Sequence, residues 1–332
     1  MPVALVTGAT GLVGSHIVEQ LLRDGWRVRA LVRTPNAELE SCGVDTVLGD
    51  VLNVEGFTRA ATGCDVIFHT AAAITPRGGW EAYRRLNIDG TSNAINAAAH
   101  AGARLLQLSS VAVYGPNMRY RGASGKTDED TPMASLPDGA FYARSKRESE
   151  QLVLAAHAHG RIWATAVRPD VIYGPRDRQF VPRIAKILQR GYAPLIGGGR
   201  STLAIVHAAN VADGAIRAAT FQAAGGRVYN LANDYDVTVR DFVTLGAHGL
   251  GRRVRLIPVP LPVATTAFRA AKVILTLIGG GRASVFTTAS LSMVTRDNPF
   301  TSNRARHELG WAPAIRPEQG IPEAFRWWLT HH

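Results

Sequence analysis

Through the first half of the chain, short apolar runs alternate with longer segments in which apolar positions recur every three or four residues. Residues 3–7, 28–32, 45–48, 66–69, 105–109 and 162–167 read as strands, and 12–23, 82–101 and 140–158 as helices. Gly25 and Gly102 stand where helix-ending residues are expected. Apolar strands separated by helices predict a parallel sheet covered on both faces, a doubly wound α/β fold. Crossovers between parallel strands are right-handed, which leaves little freedom in the topology. After Pro175 the pattern loosens into segments punctuated by Gly and Pro, with further strands expected at 227–231 and 254–257. This half is expected to form a smaller, interleaved α/β substrate domain over the carboxyl edge of the sheet, where ligands of such folds lie. Residues 119–132, rich in Gly, Ser, Asp and Thr, read as an exposed loop.

Composition narrows the class. The 332 residues are 46% hydrophobic and 19% charged, which excludes disorder and supports a sizeable core. Cys42 and Cys64 are too few for a disulfide framework or a Cys-rich zinc site, so no metal is expected and a reducing, cytoplasmic setting fits. Met1-Pro2 runs straight into Val3-Ala4-Leu5-Val6, too short for a secretory core, so the chain is read as starting at residue 1. The stretch 261–278 is broken by Arg269 and Lys272 and falls short of the ~20 apolar residues a membrane span needs. The segment 259–278 is read as a pocket lid or an ordinary core helix, both ahead of peripheral membrane contact. The formal charge of +11 invites a nucleic-acid partner. The basic residues are scattered and form no DNA- or RNA-binding module, so none is expected.

The first chemical motif is Thr7-Gly8-Ala9-Thr10-Gly11-Leu12-Val13-Gly14, between the first strand and the first helix. Glycines at 8, 11 and 14 allow a tight turn and close approach to a pyrophosphate, which the helix N-terminus attracts. At the end of the second strand a dinucleotide site places an acid for a ribose hydroxyl or an Arg for a 2'-phosphate. Here Arg33 stands there, with no acid before Glu38, so NADP(H) is favoured over NAD(H). Stacking of Arg33 on an adenine, or a solvated position, stays open.

The second motif, Tyr142-Ala143-Arg144-Ser145-Lys146, puts a phenol and an ammonium on one helix face. With eight tyrosines and four lysines, chance supplies about 0.1 such pair at this spacing. A nearby cation favours the ionised phenol, which makes Tyr142 a usable proton-transfer group. Ser110, at the carboxyl end of the fifth strand, can polarise a carbonyl oxygen beside it, with Ser109 as the fallback.

These motifs resemble the extended short-chain dehydrogenase/reductase superfamily, the group of NAD-dependent epimerases and dehydratases. Asn87-Ile88-Asp89-Gly90-Thr91, Arg168-Pro169-Asp170-Val171-Ile172-Tyr173-Gly174-Pro175, Val206-His207-Ala208-Ala209-Asn210 and Ser302-Asn303-Arg304 through Gly310-Trp311 are similar to further elements of it. The resemblance implies a catalytic Ser110, Tyr142 and Lys146. For the cofactor it implies Gly8, Thr10, Gly11, Leu12, Val13, Gly14, Arg33, Asp50, Val51, Ala71, Ala72, Ala73, Asn87, Ser109, Tyr142, Lys146, Pro169 and Val171. His69 is read as a satisfied buried histidine. The NAD(P)-binding Rossmann domain then takes 1–175 with about 205–235, and the substrate domain takes 176–204 with 236–332. Helices at 82–101 and 140–158 suit a homodimer face in this family.

Two departures select a branch. Val111-Ala112 follow Ser110 where sugar-nucleotide dehydratases of the family carry acids, and neither can protonate a leaving hydroxyl. Val171 stands where the epimerases commonly have a diphosphate-binding Asn. What remains resembles the 3β-hydroxysteroid dehydrogenase and dihydroflavonol reductase branch, which implies ketone and secondary alcohol interconversion on a hydrophobic, non-sugar small molecule. A sugar-nucleotide epimerase with tightly bound NAD is the alternative, Arg176, Arg178 and Arg183 replacing the missing Asn.

Overall fold

The computed structural model describes residues 1–75, 77–115, 125–232, 235–277 and 288–332. The first half runs β1 (Val3–Thr7), α1 (Leu12–Arg23), β2 (Arg27–Val32), α2 (Ala37–Ser41), β3 (Asp45–Leu48), α3 (Val54–Ala61) and β4 (Val66–His69). It continues through α4 (Gly79–Tyr83), a π-helical turn (Arg84–Asp89), α5 (Gly90–Ala101), β5 (Arg104–Leu108), α6 (Phe141–Ala158) and β6 (Ala164–Pro169). The second half holds β7 (Val171–Tyr173), α7 (Phe180–Leu188), β8 (Tyr192–Ile196), β9 (Ile205–His207), α8 (Ala208–Thr220), β10 (Val228–Leu231) and α9 (Val239–Gly249). After these come β11 (Arg255–Val259), α10 (Leu261–Leu277), α11 (Thr288–Thr295), α12 (Asn303–Leu309) and α13 (Pro317–His331).

Seven strands form one parallel sheet in the order β10-β6-β5-β4-β1-β2-β3. The order reverses direction between β1 and β4, the switch point at which such sheets open a ligand crevice. One face packs on α1 and α8 through Ile17, Leu21, Ala212, Ala215 and Trp311. The other packs on α3, α5 and α6 through Phe57, Ile67, Ala94 and Val153. The doubly wound expectation holds. A third core, around Tyr173, Leu195, Phe242, Phe325 and Trp328, belongs to the second half.

Several boundaries differ from the sequence reading. The helix expected at 82–101 is three pieces, because a π turn inserts an extra residue at Asn87. β5 stops at Leu108, leaving Ser109 and Ser110 in the turn that follows. β6 starts at Ala164 and runs on to Pro169. Strands β7, β8 and β9 were not expected; each is three to five residues long and pairs in a two-stranded sheet, too short to show a period. Of the loop expected at 119–132, residues 119–124 lie outside the described residues. Thr127 and Thr131 are buried instead of exposed, because Thr127 bridges Phe300 and its N–H donates to the Pro299 carbonyl at 2.7 Å. Of the segment 259–278, read as a lid or a core helix, none of residues 261–270 is buried, so this stretch is not a core helix.

Candidate active site

At the carboxyl end of β1 the chain turns on Gly8, whose φ of 70° lies in the left-handed region. A Cβ on Gly14 would sit 2.1 Å from the Gly8 carbonyl oxygen, so α1 can approach the loop this closely only with glycine there. Gly11 caps α1 without a side-chain hydrogen bond, and no acid occupies the first turn. The first N–H groups of α1 therefore remain available to an anion, and the cradle fits a dinucleotide pyrophosphate. Thr10 and Gly11 are exposed and Leu12 half-buried, whereas Val13 is buried beneath the loop.

Arg33 is exposed just beyond β2 and has no hydrogen bond or ion pair among the described residues. Asp50, half-buried, accepts from the Leu52 N–H at 2.9 Å, and Val51 is buried with its carbonyl held by Asn93. Beyond β4, the Ala71 N–H donates to the Thr7 hydroxyl, and Ala73 is clamped by Asn87, whose amide accepts from the Ala73 N–H at 2.7 Å and donates to its carbonyl at 3.0 Å. The same amide donates to the Ser145 hydroxyl at 2.8 Å. Asn87 thus ties the loop after β4 to α6 and acts as a positioning residue. His69 pairs through Nδ1 with the Thr7 hydroxyl, but its Nε2 has no partner among the described residues, contrary to the expected full satisfaction. Burial, then the Lys146 charge, holds this imidazole down to about 3.

Helix α6 brings Tyr142 and Lys146 to the same edge. Burial pushes the Tyr142 phenol up, and the neighbouring Ser110 hydroxyl partly offsets it. Ser110 also caps the short 3₁₀ turn Val111–Tyr114 by accepting from the Ala112 N–H at 3.2 Å. Ser109 is buried and its hydroxyl has no partner among the described residues, which leaves Ser110 as the serine placed to act beside Tyr142. The Lys146 ammonium donates to the Leu108 carbonyl at 2.7 Å, not to Tyr142. Burial brings Lys146 down to about 8, and Glu150, one turn further on, pulls it back up. Pro169 ends β6 inside the core, and Val171 is exposed at the rim.

Sequence reasoning missed what lies beneath. Glu150 receives a two-pronged hydrogen bond from Arg168, whose Nε is 2.9 Å away; both side chains are buried. Arg168 also donates to the Tyr114 hydroxyl at 2.7 Å, which meets the Asn230 amide at 2.9 Å. The spacing of Tyr142, Lys146 and Glu150, each four apart, carried the signal that Glu150 shares their face. An aromatic wall was also missed: Trp80, Tyr83, Phe141 and Tyr142 touch in sequence at centroid distances of 6.1–6.5 Å, and the Arg144 guanidinium lies 3.9 Å over Trp80. Together these groups can bind a carbonyl or alcohol oxygen between two hydroxyls and move one proton at it.

Comparison with known proteins bears on the family and the fold. A sequence model of the NAD dependent epimerase/dehydratase family matches residues 4–232. The chain is similar to a 4-hydroxy-2-methyl-3-oxo-4-farnesyl-3,4-dihydroquinoline-1-oxide ketoreductase of Stigmatella aurantiaca, 30% identical over 95% of this chain and 93% of that one. It is also similar to 3beta-hydroxysteroid-dehydrogenase/decarboxylase isoform 1 of Arabidopsis thaliana, 27% identical over 96% of this chain and 77% of the relative. Among solved structures, that of gox2253 superposes with a TM-score of 0.79 at 25% identity, covering 100% of this chain and 99% of the other.

Proposed function

Because this chain belongs to the NAD dependent epimerase/dehydratase family, we propose that it is an NADP(H)-linked oxidoreductase interconverting a bulky apolar ketone and its secondary alcohol. Oxidoreductase chemistry with a nicotinamide cofactor is the reading shared by its relatives. The assignments that follow extend it to this chain's residues.

The observation that carries the proposal is the placement of Tyr142 and Lys146 on one face of α6 against the end of β5, where the Lys146 ammonium meets the Leu108 carbonyl at 2.7 Å, two residues before Ser110. Gly8, Gly11 and Gly14 would cradle the pyrophosphate and Arg33 would meet a 2'-phosphate. The nicotinamide supplies or takes the hydride. In the reductive direction burial keeps the Tyr142 phenol protonated, so it can give its proton to the carbonyl oxygen. Ser110 donates a hydrogen bond to the same oxygen, and the Lys146 cation, fixed by the Leu108 carbonyl, stabilises the phenolate left behind. The wall of Trp80, Tyr83 and Phe141 beside Tyr142 suits a ring-bearing or prenylated apolar ketone, the kind of molecule named for the two relatives.

A panel of apolar ketones with NADPH and with NADH tests the reading. Stoichiometric oxidation of NADPH by at least one member is the expected outcome. Cofactor that copurifies, persists through turnover and is never consumed would mean transient oxidation and re-reduction instead.

A further inference from the structure

From Phe242 to Arg296 the sequence contains no aspartate or glutamate, yet it carries Arg252, Arg253, Arg255, Arg269, Lys272, Arg282 and Arg296. From Arg178 to Ala212 there is again no acid, with Arg178, Arg183, Lys186, Arg190 and Arg200. With 26 acids in 332 residues, about seven would fall in these two stretches if acids were evenly spread. Their absence is a segregation of charge, unlike the mixed signs of an ordinary solvated surface.

The two stretches meet in space. β8 and β11 pair in parallel with Arg255 opposite Tyr192 and Ile257 opposite Pro194. On β8, Ala193 and Leu195 turn into the third core, while Tyr192 and Pro194 are exposed, as are Arg255 and Ile257 on the paired strand. Pro260 then leads into α10, where Leu261, Val263 and Arg269 are exposed. Tyr192, Ile257, Leu261 and Val263, on the paired strands and at the start of α10, are apolar and 41–58% exposed. Arg252, Arg253, Arg255 and Arg269 are exposed as well, with no carboxylate partner among the described residues.

We propose that β8, β11 and α10 form a docking surface for an anionic lipid bilayer, with α10 lying in the headgroup plane. Apolar insertion and basic attraction are the two signals that stable surface attachment needs. At 17 residues α10 is about 25 Å long, and no helix of the described residues is long and apolar enough to cross a membrane. Ile257, Leu261 and Val263 would enter the acyl boundary, Tyr192 would sit among headgroups, and the four arginines would meet phosphates. A second copy of this chain fits less well, since a twofold contact would set these unpaired arginines against their own equivalents. Among the described residues no hydrogen bond or ion pair joins Ser110, Tyr142 or Lys146 to β8, β11 or α10, and a turnover assay run beside the binding assay separates attachment from the reaction.

Co-sedimentation of the full chain with phosphatidylcholine vesicles, plain or doped with phosphatidylglycerol, tests it at low and high salt. The account expects at least about tenfold more bound protein on the doped vesicles at low salt, lost at high salt. Val263→Asp, and separately Arg252→Glu with Arg255→Glu, should stay in the supernatant while melting at the wild-type temperature. Wild type that ignores doped vesicles, or variants that bind like wild type, would overturn the proposal. So would a lipid-free dimer broken by Val263→Asp, which assigns the surface to a second copy, or a loss of turnover on a water-soluble ketone, which assigns α10 to the substrate pocket.

Discussion

Lys146 carries the sharpest consequence at the scale of single residues. Burial brings its ammonium down to about 8, below the ordinary ~10.4 of the unfolded chain. The charged form is therefore a cost in full below about pH 8, and this group adds stability as pH climbs from there towards the unfolded value. Under the proposed mechanism catalysis would run the other way, since the cation that would stabilise a Tyr142 phenolate is lost over the same window. The expected pH profile of carbonyl reduction falls above about pH 8, and Glu150→Gln, which removes the charge that raises Lys146, should move that fall to lower pH. An unmoved basic limb in the variant would detach Lys146 from the limb. Arg33 is a second test at this scale, since it is exposed and unpaired where a 2'-phosphate would lie. Charge-assisted hydrogen bonds of ~1.5–3 kcal/mol make Arg33→Ala weaken NADPH by about 10- to 100-fold, with NADH affinity unchanged, as cofactor fluorescence titration can show.

Among elements, α6 does the most. Its helical period aligns Tyr142, Lys146 and Glu150 on one face, and Ser145 on the next turn is fastened to Asn87. That period was legible in the sequence, as were the glycine loop and all seven strands of the main sheet, because each is a local pattern of residue types. Ser110 was read ahead of Ser109 from its place after the fifth strand, and β5 stops at Leu108, leaving both serines in the turn beyond it. The Arg168 partner of Glu150 was not legible, since it arrives from β6 by tertiary contact. The π turn at Arg84–Asp89 escaped for a related reason: its extra residue leaves the apolar period almost intact while swinging Asn87 inward. Asn87→Ala would strand the Ala73 N–H and carbonyl without partners at ~1–3 kcal/mol for each buried group. A lowered Tm with reduced turnover is expected, and an unchanged melt would remove Asn87 from its positioning role.

For the molecule as a whole, the net charge of +11 is unevenly spread. The carboxylates fall within residues 1–177, 213–241 and 297–323, leaving the β8, β11 and α10 surface basic. The main sheet positions the glycine loop, Ser110 and the N-terminal half of α6 around its carboxyl edge, and the switch point between β1 and β4 opens between them. The two proposed tasks, chemistry at the sheet edge and attachment through the second half, would fall to different parts of one fold. The claim on which the account rests is that Tyr142 moves the proton. The most direct measurement is turnover of an apolar ketone by Tyr142→Phe beside its affinity for NADPH. A drop of about 10²–10⁴ in turnover with cofactor affinity preserved is predicted, whereas full turnover by the variant would contradict the mechanism.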